Sequence, residues 1–157
     1  MCGIVGMTYF DRTFDDVASR ISWALMELQH RGKEASGIAT NRYRVARRGT
    51  PERVFSGPDL DKLGGHTGIG HVLYTTSGKA ADDASIGKRA QPFECYLGGN
   101  AGKLVSFAFN GNLTNWKALA DECRERGYRG EIVNDTGVIA ALIELADLDG
   151  DNVITEG

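Results

Sequence analysis

The chain begins with "MCGIVGMTYF", residues 1–10, in which a cysteine directly follows the initiator methionine. The run is rich in β-branched and aromatic residues and predicts a buried first strand. A lone cysteine in such a strand is usually a small buried residue. Removal of Met1 would instead place a thiol and a free α-amine on the same residue, Cys2. Because an α-amine has an unperturbed pKa of about 7.7–8.0, it could serve that thiol as a base without a separate histidine.

The composition limits the class of protein. The 157 residues are 41% hydrophobic and 25% charged, with a net charge of −3. This length suffices for one domain with a core, and we expect a single domain over residues 1–157. The charge balance favours neither nucleic acid nor an anionic membrane as partner, and no apolar run approaches the ~20 residues that span a bilayer. No secretory leader is recognisable, so a cytoplasmic location is expected.

Periodicity predicts helices interleaved with antiparallel strands. Residues 15–30 form an amphipathic helix that His30, Arg31 and a C′ glycine, Gly32, are expected to end. Further helices are predicted over about 115–126 and 134–147, with strands over 2–10, 36–49, 67–76 and 103–113. Residues 77–103 are glycine- and alanine-rich and predict a long loop. Without a GxGxxG after the first strand, the pattern favours an α+β fold over a dinucleotide-binding sheet.

Several apparent motifs fail on spacing. "GGNAGKL" (98–104) lacks the glycine spacing and the hydroxyl residue of a phosphate loop. "DLDGDNVITEG" (147–157) lacks the turn glycine and the final glutamate of an EF-hand. The three histidines share no metal-ligand spacing and are expected to be hydrogen-bonded structural residues. Cys95 and Cys123 are expected to be apolar fillers. No metal site is predicted.

The ordered set of motifs resembles one family. These motifs are "MCGIVG", "LQHRGKEASGIAT", "GIGHVLYTTSG", "AQPF", "FNGNLTN" and "NDTGVIAALI". Together they resemble the class II glutamine amidotransferase domain, an N-terminal-nucleophile hydrolase. "LQHRG", "AQPF" and "NGNLTN" favour the glutaminase domain of the amidophosphoribosyltransferase branch, in purine biosynthesis, over the glucosamine-6-phosphate synthase branch. The resemblance implies a four-layer αββα sandwich, here expected to be incomplete at its C-terminus.

The resemblance also implies a mechanism. Cys2, freed of Met1, would attack the side-chain amide of glutamine and release ammonia, with its own α-amine as base and then acid. Asn110 and Gly111 would form the oxyanion hole. Asp135 would bind the α-ammonium group of the substrate.

The carboxylate end of the substrate is where the sequence departs from the family. Thr76 and the backbone of Tyr74 and Thr75 correspond to the segment that contacts the α-carboxylate. The family pattern "GHVRY" reads "GHVLY" here, so Leu73 replaces an arginine that would hold the carboxylate. Arginine gives a bidentate charged contact that leucine cannot form. Glutamine should therefore bind weakly unless another arginine, such as Arg31, Arg89 or one in a partner chain, substitutes. The alternative is a non-catalytic or regulatory homologue that has lost glutamine binding.

The family further implies the partners. The glutaminase half needs no cofactor or metal. Magnesium with phosphoribosyl diphosphate belongs to a phosphoribosyltransferase domain that this sequence lacks. Glutamine is the expected substrate, and a synthase domain or subunit is the expected recipient of ammonia. A homo-oligomer is compatible with the sequence, because missing strands would expose an apolar sheet edge, but the sequence leaves the oligomeric state open.

Overall fold

The computed structural model describes residues 2–74, 83–97 and 103–148. The chain divides into two compact units. The first comprises Met1–Pro92 with Phe107–Asn110, and the second comprises Phe93–Ser106 with Gly111–Gly157. The candidate loop and EF-hand motifs over 98–102 and 149–157 lie outside the described residues, as do Thr75 and Thr76.

A four-stranded sheet forms the centre of the first unit. Its strands are β1 (Gly3–Thr8), β2 (Ala35–Thr40), β3 (Arg44–Arg48) and β4 (Thr67–Leu73), in the order β1-β4-β2-β3. All three pairings are antiparallel, as the sequence predicts, and Gly3 lies opposite Val72 at the end of β1. This register places the residue before Gly3 beside the end of β4.

The helix α1 (Val17–Leu28) covers one face of this sheet. Its predicted apolar face is confirmed, because Val17, Ile21 and Leu25 are fully buried. The glycines of β4 allow the helix to approach, since a Cβ atom at Gly70 would lie 2.4 Å from the Cγ2 atom of Ile21. The close packing of α1 therefore fixes β4 within the core.

The end of α1 differs from the prediction. A short 3₁₀ helix, Gln29–Arg31, follows it, and Gly32 has an extended backbone with φ of −175°. Gly32 is not a left-handed C′ residue. It is needed because a Cβ atom there would lie 2.4 Å from the carbonyl carbon of Leu73. The glycine thus allows the segment after α1 to pass directly against the end of β4.

Three short helices complete the first unit. They are α2 (Pro51–Val54), α3 (Gly57–Leu63) and α4 (Asp83–Lys88). Periodicity did not predict them because each spans at most two turns. For α3 a signal was present, since Ser56 and Asp59 form a capping box.

The second unit contains two strands and two helices. β5 (Phe93–Leu97) pairs with β6 (Lys103–Phe107), and α5 (Trp116–Glu125) packs against α6 (Asp135–Leu148). The predicted long loop over 77–103 is therefore wrong in part, because it contains α4 and β5. The two later helices agree with the prediction, and Gly127, with φ of 96°, follows α5 as the expected left-handed residue.

Two of the three cysteines are core residues. Cys123 is fully buried in the cluster between α5 and α6, and Cys95 is 1% exposed on β5. Burial raises the pKa of both thiols. Their predicted role as apolar fillers is confirmed, and neither is a candidate nucleophile.

Candidate active site

Cys2 lies immediately before β1, at the edge of the four-stranded sheet. Its side chain is half-buried, and its Sγ atom lies 3.9 Å from the carbonyl oxygen of Tyr74. The antiparallel register of β1 and β4 produces this proximity between residues 72 positions apart. A partly exposed thiol at the start of the chain differs in environment from the two buried ones.

The side chain of Asn110 contacts the same residue. Its Nδ2 atom donates a hydrogen bond to the carbonyl oxygen of Cys2 at 3.1 Å. Asn110 is itself exposed, so its amide is accessible beside the thiol-bearing residue. The structure thus brings Asn110 of the motif "FNGNLTN" to Cys2 of the motif "MCGIVG".

Leu73 belongs to a buried apolar cluster against which Cys2 packs. It is 7% exposed and packs in an apolar cluster with Ala35, Ile86 and Ala90, against which Cys2 is partly buried. Tyr74, the next residue, is 50% exposed. The position that the family gives to an arginine therefore carries a buried apolar side chain.

Asp135 begins α6 in the second unit. Its Oδ1 atom accepts a hydrogen bond from the N–H of Thr136, and its Oδ2 atom accepts one from the N–H of Leu113 at 3.3 Å. Each carboxylate oxygen has a second lone pair, so the group keeps the capacity to bind a cation. Leu113 belongs to the same "NGNLTN" motif as Gly111, which is exposed at the start of this part of the second unit.

His71 contradicts its prediction as a hydrogen-bonded residue. It is fully buried in β4, and neither ring nitrogen forms a hydrogen bond of normal length and angle within the described part of the chain. Burial lowers its pKa to about 4, although a weaker interaction with the backbone of Phe109 favours the protonated ring. His30 does have a partner, because its Nδ1 atom lies 2.8 Å from the carbonyl oxygen of Glu27.

Gln91 was missed as a site residue, although its motif was recognised. It is 3% exposed, and its Oε1 atom accepts the N–H of Phe109 at 2.6 Å. The signal available in the sequence was a polar residue inside the otherwise apolar "AQPF". The contact spans 18 residues and follows no local periodicity.

Neither a metal nor a membrane span is indicated by the geometry of the described segments. Among residues 2–74, 83–97 and 103–148, no cluster of three or more His, Cys, Asp or Glu side chains is placed to hold a metal ion. None of the helices described there has the length and apolar character needed to cross a bilayer.

Comparison with known proteins identifies the relatives of the chain. No family model matches it. An amidophosphoribosyltransferase of Archaeoglobus fulgidus is 37% identical over 147 residues, which cover 91% of this chain and 30% of the relative. "Amidophosphoribosyltransferase 2, chloroplastic" of Arabidopsis thaliana is 37% identical over 92% of this chain and 25% of its own length. The chain thus spans between about a quarter and 30% of the length of the curated relatives it matches.

Solved structures give the same result for the fold. A structure described as the allosteric regulatory enzyme of purine biosynthesis matches with a TM-score of 0.69 and 30% identity, over 91% of this chain and 29% of that one. Glutamine phosphoribosylpyrophosphate amidotransferase from B. subtilis, complexed with ADP and GMP, matches with a TM-score of 0.64, 30% identity and coverage of 91% and 28%. The predicted α+β, N-terminal-nucleophile hydrolase fold is confirmed by these matches.

The ordered motifs, the fold and the relatives agree on one class. About 90% of the chain is similar to amidophosphoribosyltransferases, which agrees with the predicted resemblance to the class II glutamine amidotransferase domains. The similar proteins come from archaea, plants and bacteria.

Proposed function

We propose that this chain hydrolyses the side-chain amide of glutamine to glutamate and ammonia, with Cys2 as the nucleophile once Met1 is removed. The observation that carries the proposal is the hydrogen bond between the Asn110 amide and the carbonyl of Cys2. It fixes a side-chain N–H donor beside the thiol-bearing residue, across 108 positions of sequence. A positioned donor beside a nucleophile is what acyl transfer requires.

The reaction proceeds in two steps. The α-amine of Cys2 takes the thiol proton, the sulfur attacks the amide carbon, and the carbonyl oxygen becomes an oxyanion. Asn110 and the backbone N–H of Gly111 would stabilise that charge. Ammonia leaves with the proton from the α-amine, giving a thioester. Water then attacks the thioester, the C–S bond breaks, and glutamate and the free thiol are released.

The two ends of the substrate would be held unequally. Asp135 would bind the α-ammonium group, and its two backbone hydrogen bonds support a fixed orientation for that carboxylate. The α-carboxylate would meet the Tyr74–Thr76 segment without an arginine at position 73. An apolar side chain beside a carboxylate removes water without supplying a partner. We therefore expect the Michaelis constant for glutamine to be high and the catalytic constant to be less affected.

The larger context is also part of the proposal. The relatives are named as amidophosphoribosyltransferases, so the ammonia would pass to a synthase domain or subunit that adds it to phosphoribosyl diphosphate with magnesium. The free cysteines of the described residues support a reducing compartment, and we propose the cytoplasm.

Non-catalytic binding of a glutamine-like ligand is the second candidate function. The burial of Leu73 among apolar residues is the observation that favours it.

A matched set of cysteine variants tests the proposed nucleophile. Glutamate release would be measured over a wide glutamine range for the chain with Met1 removed, for Cys2→Ala and for Cys95→Ala. Cys95 is a suitable control because its thiol is buried and lies in β5, away from the start of the chain. We expect Cys2→Ala to lose activity, Cys95→Ala to keep it, and a glutamine-like diazoketone to label Cys2 alone. Equal labelling of all three thiols, or an active Cys2→Ala variant, would refute the assignment.

A further inference from the structure

The Asn110 side chain is carried by an exposed loop, and its orientation needs a support. Asn110 follows β6 and lies outside regular structure. A side chain on a loop is held less tightly than one on a strand or helix unless neighbouring groups fix its backbone. The N–H of the preceding residue, Phe109, is bonded to a buried side-chain oxygen, the Oε1 atom of Gln91, at 2.6 Å.

Gln91 is itself anchored to the sheet on both sides. The Arg44 guanidinium on β3 donates hydrogen bonds to the carbonyl oxygens of Ala90, at 3.1 Å, and of Pro92. These carbonyls belong to the residues directly before and after Gln91. The backbone on both sides of Gln91 is therefore held by charge-assisted hydrogen bonds, which are stronger than an apolar contact.

A glycine on the neighbouring strand lets this segment lie flat on the sheet. A Cβ atom at Gly37 would lie 2.1 Å from the carbonyl oxygen of Gln91 and 2.6 Å from the Cβ atom of Ala46. Because backbone atoms cannot move away as a side-chain tip can, no other residue fits at position 37 without displacing Gln91. Gln91 is thus held by Arg44 and by its contact with Gly37.

From this arrangement we propose that Gln91 is a positioning residue for the oxyanion site. Its buried amide holds the Ala108–Phe109 peptide to the sheet, one residue before Asn110, so that the Asn110 amide stays aimed at the reacting carbonyl. This role rests on the proposed glutaminase function. It assigns to the "AQPF" motif a contribution to the catalytic constant rather than to substrate binding.

The test compares three substitutions at one position. Gln91→Met keeps the volume and removes the acceptor oxygen, Gln91→Asn keeps an amide but is too short to reach, and Gln91→Glu keeps an acceptor oxygen at full length. Removing one oxyanion donor costs about 100–1,000-fold in rate, so a displaced donor should cost about 10–100-fold. We expect Gln91→Met and Gln91→Asn to lower kcat by about that factor with KM within about twofold. Gln91→Glu should recover most of the loss.

A second readout separates positioning from a general loss of structure. Alkylation of Cys2 by iodoacetamide needs the thiol but no oxyanion donor, so its rate should be the same in all folded variants. Glutamate release should fall while alkylation stays constant. Parallel loss of both in Gln91→Met and Gln91→Asn, with no recovery in Gln91→Glu, would show a merely structural role and overturn the proposal.

The outcomes also distinguish this inference from the function on which it rests. If the unsubstituted chain releases no glutamate and its Cys2 reacts no faster than the buried thiols, the proposed function fails, and the role of Gln91 fails with it. If the unsubstituted chain is active and Gln91→Met keeps the same kcat, only the positioning role is wrong.

Discussion

The buried histidine of β4 makes the stability of this protein depend on pH in a predictable way. His71 has no exposed surface and forms no hydrogen bond of normal geometry in the described segments, and burial lowers its pKa from 6.5 to about 4. The unfolded chain therefore binds a proton between pH 6.5 and 4 that the folded chain does not bind. The free energy of unfolding is therefore unaffected by the titration of His71 above pH 6.5, and it falls as the pH is lowered towards 4.

The size of this effect follows from the two pKa values. They differ by about 2.5 pH units, and each unit corresponds to about 1.4 kcal/mol, so the full effect is about 3–4 kcal/mol. At pH 4 the folded-state histidine is half protonated, so about 3 kcal/mol of stability is lost there. That is a large share of the 5–15 kcal/mol or so that stabilises a typical domain. Protonation of carboxylates adds to the loss at low pH, but it is common to the parent and to a variant at position 71.

Urea denaturation between pH 7 and pH 4 would measure the effect. His71→Leu has a similar volume and no titrating group, so its stability should fall by about 3 kcal/mol less over this range. At pH 7 it should be close to the parent in stability, because the two buried ring nitrogens that it removes form no hydrogen bond of normal geometry within the described residues. His30→Gln, which removes an exposed histidine, is measured in parallel as the matched control. Parallel curves for the parent and His71→Leu would refute the reasoning.

Two further predictions concern the end of β4. Leu73→Arg should supply a charged contact of about 1.5–3 kcal/mol and so lower KM for glutamine by about one to two orders of magnitude. Leu73→Met is the uncharged control. An unchanged KM in Leu73→Arg would mean that another group binds the carboxylate. Because Leu73 is buried, the same variant should also melt lower, by several degrees in thermal denaturation. Gly32→Ala should cost about 1–3 kcal/mol and reduce activity, since its Cβ atom would meet the Leu73 backbone at 2.4 Å. Gly57→Ala is the control, because an added Cβ atom there has no atom of the described residues within 4 Å. Equal denaturation midpoints for both variants would contradict the steric argument.

Local sequence patterns determined much of the fold. The apolar face of α1, the antiparallel strands, and the helix from Asp135 were all predicted, because periodicity, turns and caps depend on residues within a few positions of each other. The order of the motifs likewise predicted the family, and the comparisons confirmed it. Short elements such as α4 and β5 were not predicted, because they contain too few residues to show a hydrophobic periodicity. Tertiary contacts stabilise them instead.

The tertiary structure alone decided how the site is supported. The sequence suggested that Gly32 ends a helix, whereas the fold uses it to bring the Leu73 backbone close. It suggested an ordinary hydrogen-bonded His71, whereas the sheet register buries that ring with no hydrogen bond of normal geometry among the described residues. The bond from Phe109 to Gln91 and the bond from Asn110 to Cys2 join residues 18 and 108 positions apart. Such contacts depend on strand order and register, which only the packed sheet specifies, because no local propensity encodes a distance between remote segments.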